Sequence, residues 1–524
     1  MNRRVMAAAA TAGALVLAGC GSSSSGAGST GGEGGTSSAK TLSVGIPSDP
    51  TSLDYQAVSD ASTETVTWSI NEGLFDFDAQ GNLVPLLASE VPTFDASSPD
   101  KWTIHLRSGV TFTDGEAFNA KAVKTNVDRV LSAKLASPLK TAMGYLSAAK
   151  VIDGNTVELE TSQPDPILPY RLATLRLVAP NAAAKAGYAQ HPVGTGPYEF
   201  VSWKHSDAIT LKANPDYWGQ KAGIGNLVFK IIPDDSSRLV ALKTGEIQMD
   251  MNITPDQAAQ APQVLTSTAP ASTDIGRITL YHPPYDNVKF RQALNYAINQ
   301  DAIAKALYDN GKYAVPSKCT IVPPDEIGYT DSLSAYPYDP AKAKQLLSEV
   351  HLPKGFAVHF DGSTGIWPGS SQENQLWAQY WRAIGLKVDM KINQPSTQLA
   401  LLNKGGMGST GGVSGAPDLA YTNSASSTMH ASRQIDLYLN RDGFAATIGK
   451  AYPQLDQMIK QAYTSPSEET RTAGYDKIAK FACDNALFVF GLAQYDLWGA
   501  ASDISYSPVA GPLRRVDFNR VTFK

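Results

Sequence analysis

Histidine, cysteine and net positive charge are all scarce in this chain of 524 residues, which carries 7 His, 3 Cys and 44 Lys plus Arg against 49 Asp plus Glu, a formal charge of -5. The histidines (105, 191, 205, 282, 351, 359 and 430) are scattered, and none falls in His-x-x-x-His or His-Glu-x-x-His spacing, so a zinc hydrolase finds no local support. Ser414 in Gly-Val-Ser-Gly-Ala misses the Gly-x-Ser-x-Gly elbow at its last position. Gly406 to Gly411 does satisfy Gly-x-Gly-x-x-Gly. A dinucleotide site needs a strand before that motif and a helix after it, whereas helix-like sequence precedes this one and Gly and Pro follow. The Asp234-Asp235 pair reads as solvated loop acids. No cofactor, metal or catalytic residue is therefore expected, and a secreted hydrolase is the least supported alternative. The acidic balance makes nucleic acid an unsuitable partner.

Long apolar runs are also missing beyond the N-terminus, where Arg3 and Arg4 precede an uncharged stretch from Val5 to Gly19. That stretch is too short to span a bilayer and has the pattern of a secretory leader. Leu17-Ala18-Gly19-Cys20 resembles a bacterial lipoprotein box, which implies removal of residues 1–19 and a diacylglycerol on Cys20. Residues 21–40 are Gly, Ser, Thr or Ala except Glu33 and Lys40, so 20–40 is a lipidated cysteine and flexible tether. The body is then expected outside the cytoplasm, held to the cell membrane by its N-terminal lipid. Cys319 and Cys483 remain, in a compartment that permits disulfides; they either pair or stay two separate buried thiols.

What is present is enough for at least two domains: 43% hydrophobic and 18% charged residues, with 32 prolines. Leu42, Val44 and Ile46 alternate as a strand, and so do Trp102, Ile104 and Leu106. Ala122, Val123, Val127, Val130 and Leu131 recur at helical spacing behind an Asn119 cap. Asp339-Pro340 opens another helix, and Ser465-Pro466-Ser467-Glu468 reads as a capping box opening a further one. Leu376, Tyr380 and Ile384 mark a helical face that stops at Gly385, before a strand through Leu386, Val388, Met390 and Ile392. Helix and strand in repeated succession predict an α/β fold.

Several segments, in order, resemble the family 5 extracellular solute-binding proteins, which include the dipeptide, oligopeptide and nickel-binding subunits of ABC importers. They are Pro50 to Asp54, Asn71 to Leu74, Leu83 to Ala88, Trp102 to Glu116, Pro192 to Tyr198, Asn214 to Trp218, Ala241 to Ile247, Asp286 to Ile298 and Tyr338 to Leu347. Read from the residues, these motifs are mainly structural: Gly194 and Gly196 flank a turn into a strand from Tyr198 to Trp203, and Arg107 and Asp114 pair or cap. The resemblance implies a bilobed periplasmic-binding-protein-like fold with a two-crossing hinge. Domain I would span 41–280 plus 492–524, with an extra subdomain at about 75–190, and domain II would span 281–491.

The same resemblance implies a monomer that captures a peptide or peptide-like solute between its lobes and delivers it to ABC permease subunits. An oligosaccharide or nickel chelate is the alternative ligand, and presentation of solute to a membrane sensor an alternative role. Peptide-binding members pair an aspartate with the ligand's α-ammonium, and Asp418 in Gly411 to Tyr421 is the matching carboxylate; a proline before it departs from the family pattern, and a turn cap is its alternative role. Tyr421, Trp367 in the Gly365 to Gly369 loop, and Tyr495 and Trp498 near the return crossing are the aromatic candidates, each with core or hinge packing as its alternative role.

Overall fold

Alternating apolar residues at Leu42, Val44 and Ile46 are buried to within 1% of completely, and the strand they form, Thr41–Ile46, lies at the centre of a seven-stranded sheet. The structure, a computed structural model, describes residues 40–524 apart from 59, 365–368, 405–416, 426, 441–447, 449, 450, 466 and 509–514. The leader, Cys20, the tether up to residue 39 and Trp367 lie outside the described residues. Thr41–Ile46 runs parallel to both Asn226–Ile231 and Met249–Asp250. Ala208–Ala213 and Tyr198–Lys204 extend the sheet on one side, Leu497–Ala500 and Gln263–Thr266 on the other.

A second sheet of six strands has the order Ala314–Pro316, Phe488–Gln494, Ser272–Ile278, Leu419–Ser424, Val358–Ser363, Val388–Asn393. Each sheet has its own apolar core, and a third core draws almost wholly on residues 74–179 around the three-stranded sheet of Lys101–His105, Thr156–Thr161 and Leu146–Val151. This is the mixed α/β, two-lobed architecture that the order of elements implies, with an extra subdomain on the first lobe. Among the described residues no helix is long and apolar enough to cross a membrane.

The chain passes from the first sheet to the second between Thr266 and Ser272 and returns between Gln494 and Leu497. The sequence reading set these passages later, at 280/281, and earlier, at 491/492. Ser272–Ile278 and Phe488–Gln494 are buried along their whole lengths. Strands covered on both faces lose the alternation that would have marked them.

Local signals fare better. Asn119 caps Ala120–Leu131 by accepting from the Ala122 N–H at 3.1 Å, and Asp339 caps Pro340–Ser348 in the same way through Lys342 N–H at 2.8 Å. The expected box at Ser465 is displaced: Ser467 is the cap of Glu468–Asp484, while Ser465 closes the preceding helix Pro453–Thr464. Asp234 and Asp235 are likewise structural. Asp234 caps Asp235–Thr244 through Ser237 N–H at 2.8 Å, and Asp235 pairs with Arg238 at 2.5 Å. Arg107 lies over the Trp218 ring at 5.0 Å, and Asp114 accepts from Glu116 N–H at 3.0 Å.

Gly194 and Gly196 owe their identity to close backbone approach. A Cβ on Gly194 would lie 2.0 Å from the Ile70 carbonyl oxygen, and one on Gly196 would lie 2.6 Å from the same atom. Gly194→Ala is expected to cost about 3 kcal/mol, because backbone cannot yield as a side-chain tip can. Gly154, whose Cβ would meet nothing within 4 Å, provides the neutral control; equal urea midpoints for the two alanine variants would refute the steric argument.

Candidate functional site: the seam between the lobes

In the second sheet, Val358–Ser363, Val388–Asn393 and Leu419–Ser424 run parallel, and Ser424 sits opposite Thr273, next to the crossing. In the first sheet, Met249–Asp250 advances against Leu497–Ala500, toward the point where that strand leaves the return crossing. The carboxyl ends of both parallel strand sets therefore meet at the crossings, the edge at which open α/β sheets bind ligands.

Asp418, Tyr421, Tyr495 and Trp498 can be located against this topology. Asp418 precedes Leu419, which pairs with Ile278 at the far end of a seven-residue strand, about 20 Å from the crossing at the usual rise. Its side chain meets exposed His282 at 3.4 Å. Register places Asp418 at the strand end remote from the crossings. Tyr421 is fully buried, with its hydroxyl 2.6 Å from Asp274 Oδ1 and 3.5 Å from Glu373 Oε2, inside the second lobe. Trp498 is 2% exposed in the first core. Tyr495, half-buried in the return crossing, donates its N–H to the Tyr313 carbonyl at 2.9 Å and remains beside the seam. Cys319 and Cys483 are joined as a disulfide with Cα atoms 5.5 Å apart.

The acids behind Tyr421 form a closed cluster. Asp274 also accepts from Asn423 Nδ2 at 3.0 Å, and the Tyr308 hydroxyl lies 3.2 Å from Glu373. Burial raises both carboxyls, and Glu373 is raised further by the charge of Asp274 beside it.

Between the lobes, sequence reasoning missed a second and larger constellation. Arg171, on Leu168–Leu172 of the subdomain, is 2% exposed at its side chain and pairs with Asp165 at 3.0 Å and, across the seam, with Asp436 at 2.9 Å. The Tyr463 hydroxyl lies 2.8 Å from the other Asp436 oxygen. Burial disfavours the Arg171 charge, but Asp165 and Asp436 outweigh it and hold the guanidinium protonated. Tyr170 of the first lobe meets the His430 ring at 5.0 Å, and Met429 is buried within the subdomain's core. A cavity of about 320 Å³ opens along this seam, with Tyr145 and Gln163 on one wall and Asp456, Lys460 and Tyr463 on the other. Nothing in the sequence flags these residues, because Arg171 and Asp436 are 265 positions apart.

His430 is buried between Tyr170 and Tyr475, and its Nδ1 accepts from the Ser432 N–H at 3.2 Å. Burial first, then the charges of Arg471 and Arg171, push its pKa down to about 3. A group depressed in this way binds more protons unfolded than folded between its two pKa values, so stability falls as pH drops below about 6.5. Its contribution at pH 5 is a loss of about 2 kcal/mol relative to neutral pH. His430→Gln is expected to remove that part of the acid loss; parallel urea midpoints at pH 5 and 7.5 in both proteins would contradict it.

Comparison with known proteins agrees with this architecture. The family model for the middle of the bacterial extracellular solute-binding proteins, family 5, matches residues 82–441. The chain is 31% identical over 455 residues to the glutathione-binding protein GsiB of Escherichia coli O1:K1, covering 83% of this chain and 85% of that one. Among solved structures, the periplasmic binding protein DppA of Helicobacter pylori in complex with peptide STSA superposes with a TM-score of 0.77 at 23% identity, over 92% of this chain and 98% of that one. NikA of Brucella suis in complex with Fe(III)-EDTA gives 0.76 at 21% identity, over 92% and 100%. With two lobes, a double crossing and a seam lined from both sides, the chain belongs to the bacterial extracellular solute-binding proteins of family 5, the solute-binding subunits of ABC importers.

Proposed function

We propose that this protein is a monomeric lipoprotein, anchored through Cys20, that captures a peptide or peptide-like solute in the seam, hands it to a membrane permease and performs no chemistry on it. In this reading the lobes divide at 267–271 and 495–496, and those two passages are the hinge. The observation that carries it is the Arg171 to Asp436 contact, a buried ion pair that only a closed arrangement of the lobes can make. Closure round a solute turns binding energy into a shape that a permease can recognise. The glutathione-binding relative supports a small peptide-like ligand.

Thermal stability of the protein should be screened against glutathione, di- to octapeptides, oligosaccharides and nickel chelates, since a ligand of the folded form raises apparent stability as RT ln(1 + [L]/Kd). Shifts with peptides are expected. Shifts confined to sugars or chelates would overturn the ligand class and leave the family role intact. Anchoring has its own test: Cys20→Ser should move the protein from the membrane fraction to the soluble one.

A further inference from the structure

The cavity of about 320 Å³ stands apart from the edge at which the two large sheets present their carboxyl ends. Its first-lobe wall is built at the ends of the paired subdomain strands, from Tyr145 just before Leu146–Val151 and Gln163 just after Thr156–Thr161. Its second-lobe wall comes from Asn440 and one face of the helix Pro453–Thr464. No lining residue belongs to either large sheet or to the two crossings. With one wall on each lobe, the cavity is complete only when the lobes are closed, and its volume falls in the range of about 300–1,000 Å³ usual for small-molecule sites.

The lining suits a zwitterion. Asp456 and Lys460 stand one helical turn apart on the same wall, about 6 Å of rise, and do not pair with each other. The Lys460 ammonium makes no ion pair or hydrogen bond with any described residue. Gln163 and Asn440 put a carboxamide on each wall, donor and acceptor together. An α-amino acid carries its ammonium and its carboxylate on one carbon, so a single molecule can meet both charges of the helix. A neutral sugar would leave Lys460 without an anion, and a simple anion would be repelled by Asp456.

Tyr463 couples the cavity to closure. It lines the wall, and its hydroxyl lies 2.8 Å from Asp436, the carboxylate that Arg171 holds across the seam at 2.9 Å. A molecule seated here bridges the lobes beside that pair and favours the closed form without touching the solute.

We propose that this cavity is a second ligand site, for a free α-amino acid, and that its occupant is an effector which tightens solute binding by stabilising closure. The effector role rests on the solute-capture reading; the site itself does not.

The test is calorimetric titration of the full chain, as processed by a bacterial host, with L-glutamine, L-serine and L-leucine. One site is expected, weakened at least about tenfold by Lys460→Ala and by blocking either charge of the amino acid as its methyl ester or N-acetyl derivative. Lys460 is exposed, so its replacement leaves the fold intact. The saturating amino acid should then tighten glutathione, or whichever peptide the thermal screen returns, about fivefold or more, and the peptide should tighten the amino acid by the same factor. Lys460→Ala should bind the peptide as the wild type does without effector. Binding of none of the three amino acids, or equal binding to wild type and Lys460→Ala, would overturn the site. An amino acid that binds through Lys460 but leaves peptide affinity unchanged or lowers it would overturn the effector role. Where no peptide binds, the peptide reading fails separately, and scattering decides: a radius of gyration that falls on adding the amino acid upholds closure, and an unchanged one refutes it.

Discussion

The double replacement Cys319→Ser/Cys483→Ser is expected to lower stability by about 5 kcal/mol, with the loss confined to the second lobe. The bond closes a loop across a sequence separation of 164 residues, and the chain-entropy relation gives about that figure for a loop of such length. The loop contains three of the second sheet's six strands and all but the last residue of the Glu468–Asp484 helix, while the first sheet lies wholly outside it. Cys319 is fully buried in the second core, so two serines also place hydroxyls where sulfur packed. The Tyr336 hydroxyl, donating to the Cys483 carbonyl at 2.6 Å, holds the same corner and should survive the change. Calorimetry should show an earlier transition for the second lobe and an unmoved one for the first. A single transition within 1 °C of the wild type would mean that the bond does not limit the unfolded chain as argued.

How much could be read beforehand depended on the range of the interactions. Asn119 and Asp339 act on neighbouring backbone, so their signals survive in a few consecutive letters, whereas Gly194 and Gly196 answer to the Ile70 carbonyl, far earlier in the chain, and showed in the sequence only as turn glycines. The alternation of Thr41–Ile46 was legible because a sheet with distinct faces demands it, whereas Ser272–Ile278 is covered on both faces and was assigned to the wrong lobe. Asp418 matched a family position by letter. Register sets it at the strand end remote from the crossing, and register is a property of pairing between distant segments. Tyr421 satisfied the expectation of an aromatic near a carboxylate, but the carboxylate is Asp274, 147 positions away. The seam was invisible for the same reason: Arg171 and Asp436 have no local motif, and their roles come from what stands beside them across the seam.

Arg171→Met is expected to shift the protein toward an open form and weaken solute binding about 100-fold. In the closed arrangement the methionine leaves buried Asp165 and partly buried Asp436 without their shared cation. Breaking a buried pair in this way costs about 3–5 kcal/mol. Part of that cost, from Asp165 within the first lobe, is paid in open and closed forms alike. The part from Asp436 is relieved on opening, because that carboxylate can then take water. About 3 kcal/mol of bias against closure corresponds to the stated loss of affinity if the ligand binds only the closed form. Asp436→Asn, which keeps a partner for the Tyr463 hydroxyl at 2.8 Å and removes only the charge, should weaken binding by less than tenfold. The effects should also be non-additive, since both changes remove the same cross-seam contact. Small-angle scattering of the ligand-free protein supplies the structural readout: the radius of gyration should rise in Arg171→Met and fall back when saturating ligand is added. Equal radii for wild type and variant, together with equal dissociation constants, would show that the ion pair does not bias closure.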